Sequence, residues 1–351
     1  MRRSLYLLGL ILLPLSFLWI FPIACGPSPT SPVPTPTPSG PLVTTLAGSG
    51  SPGSTNATGT AASFNYPIGV AVDSSGNVYI ADSNNNLIRK ISSGGVVTTL
   101  AGQAGVTGAT NATGTAASFN HPSGVAVDSS GNVYVADDGN NLIRKITTGG
   151  VVTTLAGSGS TGSTNATGTA ASFNQPYGVA VDSSGNVYVA DFLNSLIRAI
   201  TSGGVVSTLA GSGSIGSTNA TGTAASFNRP TGVAVDSSGN IYVADYANSL
   251  IREIRSWGSV STLAGQTGVF GSTNGTGSAA SFYFPTGVAV DTSGNVYVAD
   301  EANSLIRKIT WSGVVSTLAA SFNNPMGVAV DTLGNVYVAD TSNNLIRKIT
   351  Q

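Results

Sequence analysis

The sequence contains one Cys, one His and few charges, and each scarcity excludes a class of protein. A single Cys cannot form a disulfide within the chain, so a disulfide-stabilised scaffold is excluded. A single His excludes a zinc centre built from several His ligands. Charged residues make up 8% of the chain, with 14 Lys and Arg against 15 Asp and Glu, and this balance disfavours binding to nucleic acid. Hydrophobic residues at 41% exclude a highly charged disordered chain.

Residues 1–25 have the pattern of an export signal. Arg2 and Arg3 precede an uncharged, largely apolar run over residues 5–24, which ends at Cys25. A run of this length can also span a bilayer as an uncleaved anchor. Either alternative places the chain after Cys25 outside the cytoplasm, because the positive charges stay inside.

The end of this segment resembles the lipobox of bacterial lipoproteins. Residues 22–25 read Pro-Ile-Ala-Cys, although Leu is usual where this chain has Pro22. The resemblance implies that Cys25 is lipidated and that the protein is held to a membrane. Gly26 is not the Asp that favours inner-membrane retention, so we expect the outer membrane or the cell surface. Residues 26–41 contain seven prolines and are expected to form an extended linker up to roughly 50 Å long.

From residue 42 onward the chain repeats one unit six times. The phrase Gly-Val-Ala-Val-Asp begins at positions separated by 55, 54, 54, 55 and 40 residues, and such periods indicate propellers, solenoids or arrays. The six starting residues are Gly69, Gly124, Gly178, Gly232, Gly287 and Gly327. Each unit contains four short segments rich in β-branched residues, bounded by turn residues and without a helical period.

Six units of four strands predict an all-β, six-bladed propeller over residues 42–351. The last unit ends just after its third strand, while residues 42–47 have the sequence of a fourth strand. Pairing of this N-terminal strand with the last blade would close the ring. We therefore expect a closed propeller and a monomer.

Two sets of repeated charged residues are expected to be structural. One Asp per unit lies in an Asp-Ser-Ser-Gly-like turn, where its side chain can accept backbone hydrogen bonds. The third strands place one Arg per unit on an apolar face, where it needs a partner. The partners that recur with Arg89, Arg144, Arg198, Arg252, Arg307 and Arg347 are Asp82, Asp137, Asp191, Asp245, Asp300 and Asp340.

The repeated sequence resembles the NHL repeat. The resemblance rests on the motif Ala-Asp-x-x-Asn-x-Leu-Ile-Arg-Lys-Ile, as over residues 81–91, followed by Gly-Gly-Val-Val-Thr-Thr-Leu-Ala-Gly. The His that is common in the family after the repeated Asn is Asn or Ser here. The resemblance implies a propeller, a fold that the family uses in RNA binders, sensor kinases, an amidating lyase and exported proteins. Function must therefore be argued from the site.

A long Gly/Ser/Thr-rich connection precedes the first strand of every unit except the sixth. Its last part, Ala-Ala-Ser-Phe-Asn-x-Pro, persists in the sixth unit, so the Phe is expected to pack between blades. The remainder is dispensable to at least one blade, since the sixth unit lacks it. Its Asn-x-Thr triplets match glycosylation acceptors, but in a bacterial lipoprotein we expect them to be chance products of a polar loop.

The differences between units cluster beside the repeated Pro and between the second and third strands. We expect both clusters on one face near the mouth of the central channel, where a ring of aromatic and polar side chains can bind a ligand. Drift at exposed loop positions is the alternative. The candidate binding residues are Tyr66, His121, Gln175, Tyr177, Arg229, Phe284, Asn324, Phe192, Tyr246 and Glu301. Trp257 and Trp311 are expected on the opposite face, as a partner surface or as packed turns.

The residues give little support for catalysis. No Ser-His-Asp set, metal cage or cofactor site can be assembled, and none is expected. We expect a membrane-tethered binding module whose partner is a protein, a glycan or a small ligand, and no binding to nucleic acid. The alternative is a metal-dependent hydrolase, lactonase or lyase similar to the propellers related to senescence-marker protein 30. A structural surface component remains a further possibility.

Overall fold

The computed structural model describes residues Gly40–Gln351. The predicted export signal, Cys25 and most of the predicted linker lie outside the described residues. Within the described part, no helix is long and apolar enough to cross a membrane.

Six antiparallel sheets form the blades of a ring, each with a first, second, third and outer strand. We number the blades 1 to 6 in the order of their first strands. The first strands are Pro67–Val72, Pro122–Val127, Pro176–Val181, Pro230–Val235, Pro285–Val290 and Pro325–Val330. The second strands are Val78–Asp82, Val133–Asp137, Val187–Asp191, Ile241–Asp245, Val296–Asp300 and Val336–Asp340. The third strands are Leu87–Ile91, Leu142–Ile146, Leu196–Ile200, Leu250–Ile254, Leu305–Ile309 and Leu345–Thr350.

The outer strands of blades 1 to 5 are Val97–Ala101, Val152–Ala156, Val206–Ala210, Val260–Ala264 and Val314–Ala319. Blade 6 takes its outer strand, Leu42–Ala47, from the start of the described chain. This strand pairs antiparallel with Leu345–Thr350, with Leu42 opposite Thr350 and Thr44 opposite Lys348. The predicted six-bladed propeller and its closure by the N-terminal strand are therefore confirmed.

Short 3₁₀ helices occur at two recurring positions. One kind precedes the first strand, at Gly59–Ala61, Gly114–Ala116, Gly168–Ala170, Gly222–Ala224 and Gly277–Ala279. The other kind joins the second strand to the third, at Ser83–Asn85, Asp138–Asn140, Phe192–Asn194, Tyr246–Asn248, Glu301–Asn303 and Thr341–Asn343.

The blades are held together by apolar layers and by buried ion pairs. The expected packing of the repeated Phe between blades is confirmed: Phe119 of blade 2, for example, belongs to the same buried apolar cluster as Tyr79 and Ile88 of blade 1. In each of blades 1 to 5, the expected Arg–Asp pair is fully buried, with N–O distances of 2.7 to 2.8 Å. The Arg also lies 5.2 Å from the centre of the repeated Phe ring.

The long connections are ordered in the five blades that have them, while blade 6 forms without one, as expected. In blade 1, Pro52 bridges to Phe64 and Thr58 bridges to Val96, so the segment folds back against the outer edge of its own blade. In blade 5 the same segment forms a two-residue strand, Gly275–Thr276. Covering an outer edge in this way removes unpaired backbone groups that invite association.

The Asn of each Asn-x-Thr triplet has a structural role. Asn56 Oδ1 accepts a hydrogen bond from Arg89 Nη2 at 2.8 Å, and the same bond recurs in the next four blades. Blade 6 lacks the connection, and its Arg347 is 18% exposed and lies 3.3 Å from Asp340. The Asn of each triplet therefore accepts a hydrogen bond that the buried Arg would otherwise lack.

The repeated turn Asp residues are also structural, as expected. Asp73 Oδ1 accepts from the backbone N–H of Ser75 and Asn77, and Oδ2 accepts from the Tyr79 hydroxyl. Burial alone would raise the pKa of Asp73, but these hydrogen bonds outweigh it and the pKa is lowered.

Candidate ligand site at the channel mouth

The first strands line a central channel, and a ring of glycines sets its width. A Cβ on Gly178 would overlap the carbonyl oxygen of Thr231 in the next blade, and the five equivalent glycines have the same close contact. The repeated Gly is therefore required because the six first strands converge too closely for any side chain. The residues just before these glycines face the channel mouth.

Three of these residues bind the ring together. The hydroxyls of Ser123, Thr231 and Thr286 each donate to a backbone carbonyl of the following blade, at 2.8 to 3.0 Å. The larger Tyr177 extends across the mouth, and its hydroxyl lies 3.9 Å from Sδ of Met326 in the opposite blade. Tyr177 therefore covers the centre of the channel.

Six non-repeated residues occupy a backbone corner next to the mouth. All have a left-handed φ between 48° and 56°, and they are Tyr66, His121, Gln175, Arg229, Phe284 and Asn324. The Asn and Ser residues that replace the family's His accept hydrogen bonds from the backbone N–H groups of several of these corner residues. Asn86 Oδ1 accepts from the His121 N–H at 2.8 Å, and Ser249 Oγ accepts from the Phe284 N–H at 3.4 Å. Glycine is the least strained residue at positive φ, yet none of the six corners has it. Their side chains are therefore retained against a conformational cost.

A continuous row of aromatic rings runs outward from the channel, and we call it the aromatic track. Its members are Tyr177, Phe192, Tyr246, Phe284, Tyr283 and Phe270. Tyr246 stacks on Phe284 with ring centres 4.7 Å apart, and Phe270 lies 6.0 Å from Phe284. The outer end is open to solvent, because Phe270 is 53% exposed and Tyr283 38%. The track offers apolar ring faces from the channel centre to the edge of blade 5.

Two carboxylates from opposite blades lie at the mouth. Asp138 and Glu301 each begin the 3₁₀ helix after the second strand, in blades 2 and 5. Asp138 Oδ1 and Glu301 Oε2 are buried and have no hydrogen-bond partner in the part of the chain that the structure describes. Burial raises the pKa of each group to about 7, with the Asp137 carboxylate adding to the effect on Asp138. Burial raises the pKa of Tyr177, and both carboxylates raise it further.

Tyr177, Glu301 and the start of the aromatic track enclose a cleft of about 230 Å³. The guanidinium of Arg229 lies 5.9 Å from the Phe192 ring centre. The cleft is lined by Tyr177, Phe192, Arg229, Thr231, Tyr246, Thr286, Glu301 and Met326.

The structure brings some of the candidate residues together and leaves others apart. Five of the ten line the cleft, namely Tyr177, Phe192, Arg229, Tyr246 and Glu301. Phe284 joins them by stacking, and Tyr66 is close enough for Glu301 to raise its pKa further, beyond the effect of burial. His121 and Gln175 are exposed, and with Asn324 they lie on the rim outside the cleft.

Sequence reasoning missed Phe270 and Tyr283 as site residues. A signal existed for Tyr283, because it stands where the other five units have Asn. Phe270 lies in a connection that differs between units, so only its ring contacts identify it.

The two tryptophans lie in the turns between third and outer strands, which are on the face opposite the mouth. Trp257 and Trp311 are 67% and 78% exposed. Arg255 lies 5.5 Å from the Trp257 ring. They are therefore exposed side chains and not packed turns.

Among the described residues, no group of three or more His, Cys, Asp or Glu is placed to hold a metal ion.

Comparison with known proteins establishes the family. Six segments match the NHL repeat, at residues 64–91, 119–146, 173–200, 227–254, 282–309 and 322–349. The chain is an NHL-repeat propeller. It is 32% identical over 267 residues to the Protein SUPPRESSOR OF QUENCHING 1, chloroplastic, of Arabidopsis thaliana, a match covering 71% of this chain. The chain spans only 25% of the length of that relative.

Solved structures share the NHL-repeat propeller's fold at low sequence identity. An auxiliary nutrient binding protein from Bacteroides thetaiotaomicron superimposes with a TM-score of 0.65 and 16% identity, covering 88% of this chain and 76% of that one. A gluconolactonase from Xanthomonas campestris superimposes with a TM-score of 0.60 and 13% identity, covering 88% and 89%. At these identities the likeness concerns the fold alone.

Proposed function

We propose that this NHL-repeat propeller is a binding module that takes its ligand at the channel mouth. The observation that carries the proposal is the aromatic track, which leads from Tyr177 at the channel centre to the exposed ring of Phe270. Convergent aromatic faces with a few polar groups are the usual composition of a ligand site.

The division between repeated and non-repeated residues supports this proposal. The repeated Arg, Asp, Phe and Gly are used in buried contacts that hold the ring together. Most of the non-repeated candidate side chains converge on one mouth, and there Glu301 leaves a buried oxygen without a partner among the described residues. The repeats supply most of the contacts that hold the ring together, so the aromatic side chains and Glu301 at the mouth are available for recognition.

We further propose that the module is exported and membrane-tethered, with the outer membrane or cell surface as its site. The support is the charge and hydrophobic pattern of residues 1–25, followed by the Pro-rich residues 26–41. In this arrangement a monomeric propeller presents its mouth to a protein, a glycan or a small ligand. Likeness to a protein named for nutrient binding agrees with such a role.

A second candidate function is catalysis on a small substrate, either by hydrolysis or by a lyase reaction. A gluconolactonase shares the fold. The observation in its favour is the raised pKa of Asp138 and Glu301, about 7 in each, which is suited to proton transfer near neutral pH. Activity would require one of these carboxylates to contact the substrate.

A thermal-shift screen of the purified full chain tests the proposal. The probes are sugars, lactones, peptides and the divalent cations Ca²⁺, Mn²⁺ and Zn²⁺. A ligand that binds the native state raises the melting temperature by mass action. We expect a shift from an organic probe that the double variant Tyr177→Ala/Phe192→Ala abolishes, because it removes the inner end of the aromatic track.

The matched control is Trp257→Ala/Trp311→Ala, which removes two large side chains from the opposite face. It should keep the shift. A shift that survives the mouth variant but not the control variant would place binding elsewhere and refute the proposal. A shift with a metal ion, together with turnover of a lactone, would favour the hydrolase.

A further inference from the structure

We propose that the mouth recognises an organic cation, a protonated amine or a quaternary ammonium group, seated against Glu301 within the rings of the aromatic track. This inference rests on the proposed binding function and specifies its ligand class.

The first step concerns the hydrogen bonding of the Glu301 carboxylate. Its Oε2 is buried and has no hydrogen-bond partner among residues 40–351, and no Lys or Arg of that range lies within ion-pair distance of it. A buried carboxylate without a partner is unfavourable. By contrast, the buried Asp191 of blade 3 has Arg198 at 2.8 Å. A cationic ligand would supply at Glu301 the partner that the fold supplies elsewhere.

The second step is the surroundings of that carboxylate. Glu301 lines the same cleft as the rings of Tyr177, Phe192 and Tyr246. Aromatic faces attract cations within about 6 Å of the ring centre. Arg229 already lies 5.9 Å from Phe192 and shows that the track accepts a positive charge on its face.

The third step is size and composition. The cleft holds about 230 Å³, which is below the roughly 300–1,000 Å³ of sites for drug-sized ligands. It therefore fits a head group, while the rest of a longer ligand can lie along the track towards Phe270. Calcium and magnesium need about six or more oxygen ligands, whereas the cleft lining contains a single carboxylate among rings, hydroxyls, Arg229 and Met326.

The test compares three probes of the same tert-butyl-like shape by calorimetry on the full chain. Choline is the cation, 3,3-dimethylbutan-1-ol is the neutral probe and 3,3-dimethylbutanoate is the anion. We expect choline to bind at least about tenfold more tightly than the alcohol, and the anion to bind most weakly. Glu301→Gln should reduce choline binding to the level of the alcohol.

Two further variants separate the role of Glu301 from general effects. Glu253→Gln makes the same change in a third strand outside the mouth, where Glu253 pairs with Arg255, and should leave choline binding unchanged. Arg229→Ala removes the positive charge from the cleft and should strengthen choline binding, whereas an anion site would be weakened.

Equal binding of choline and the alcohol, both lost in Tyr177→Ala, would overturn the cation inference and leave a mouth binding site. Absence of choline binding overturns the inference as well. The proposed binding function fails separately, when no probe of the wider screen gives a shift that depends on the mouth residues.

Discussion

The hydroxyl of Tyr177 in blade 3 lies 3.9 Å from Sδ of Met326 in blade 6, directly across the channel. The Tyr177 side chain thus spans the channel mouth. Most of the equivalent side chains in the other blades are small or hydrogen-bonded to the next blade, as Thr231 is. The aromatic track begins at this ring, since Phe192 is 5.9 Å away. Tyr177 therefore joins the channel cover to the proposed binding surface.

The first prediction concerns Tyr177. Tyr177→Ala should remove ligand binding because it deletes the inner end of the track, and it should lower the free energy of unfolding by about 2 kcal/mol. Tyr177→Phe keeps the ring and should retain most of the affinity. Calorimetry and chemical denaturation of both variants measure the two effects. Equal affinity in the Ala and Phe variants would show that the ring is not part of the site.

Much of the fold could be predicted because the repeats carry its geometry. The Gly-Val-Ala-Val-Asp phrase marks each first strand, and the unmatched strand at residues 42–47 predicts ring closure. The co-occurrence of Arg198 with Asp191 predicts a buried pair, since an Arg on an apolar face requires a partner. These inferences depend on local pattern and on the counting of strands.

The site could be predicted only in part, because its contacts cross blades. The meeting of Tyr177 and Glu301 in one cleft depends on ring order, which brings together residues far apart in the sequence. The role of Asn165 was missed for the same reason: a polar loop gives no sign that its amide reaches a buried Arg. Phe270 likewise gains its meaning only from neighbouring rings.

A second prediction concerns the glycine ring. Gly178→Ala should lower the free energy of unfolding by about 1–3 kcal/mol, because the new Cβ would overlap the Thr231 carbonyl and force the first strands apart. Gly203→Ala is the matched control, since its nearest neighbouring atom is 3.8 Å away. Thermal unfolding followed by circular dichroism measures both. Equal melting temperatures would show that the channel adapts to a side chain.

A third prediction concerns the ordered connections. Asn165 Oδ1 accepts from Arg198 Nη2 at 2.7 Å and from the Thr208 hydroxyl at 3.3 Å. Asn165→Ala should lower the free energy of unfolding by about 1.5 kcal/mol, because a hydrogen bond to a charged, buried group is lost. Ser163→Ala in the same exposed stretch is the control. Denaturant unfolding gives both values, and equal effects would mean that the Asn contributes no more than any loop residue.

The last prediction concerns the pH dependence of stability. Burial raises the pKa of Glu301 from its ordinary value of 4.5 to about 7. The groups that face it are Tyr66, Tyr177 and Tyr246, with Arg229 in the same cleft. The folded state therefore holds the proton more tightly than the unfolded state. The contribution of the raised Glu301 pKa to stability is complete below pH 4.5 and is lost as the pH rises to about 7.

Glu301→Gln removes this titration. The stability of the variant should therefore rise relative to that of the parent protein between pH 4.5 and 7, and the difference should stay constant above pH 7. We expect the melting temperatures to diverge by at least about 2 °C over this window. Glu253→Gln should show no such divergence. Asp138→Asn should add a separate change of the same sign, because burial raises the pKa of that carboxyl too, to about 7. Parallel curves for Glu301→Gln across the whole range would mean that Glu301 is ionised as readily in the folded chain as in water, and the need for a cationic partner would disappear with it.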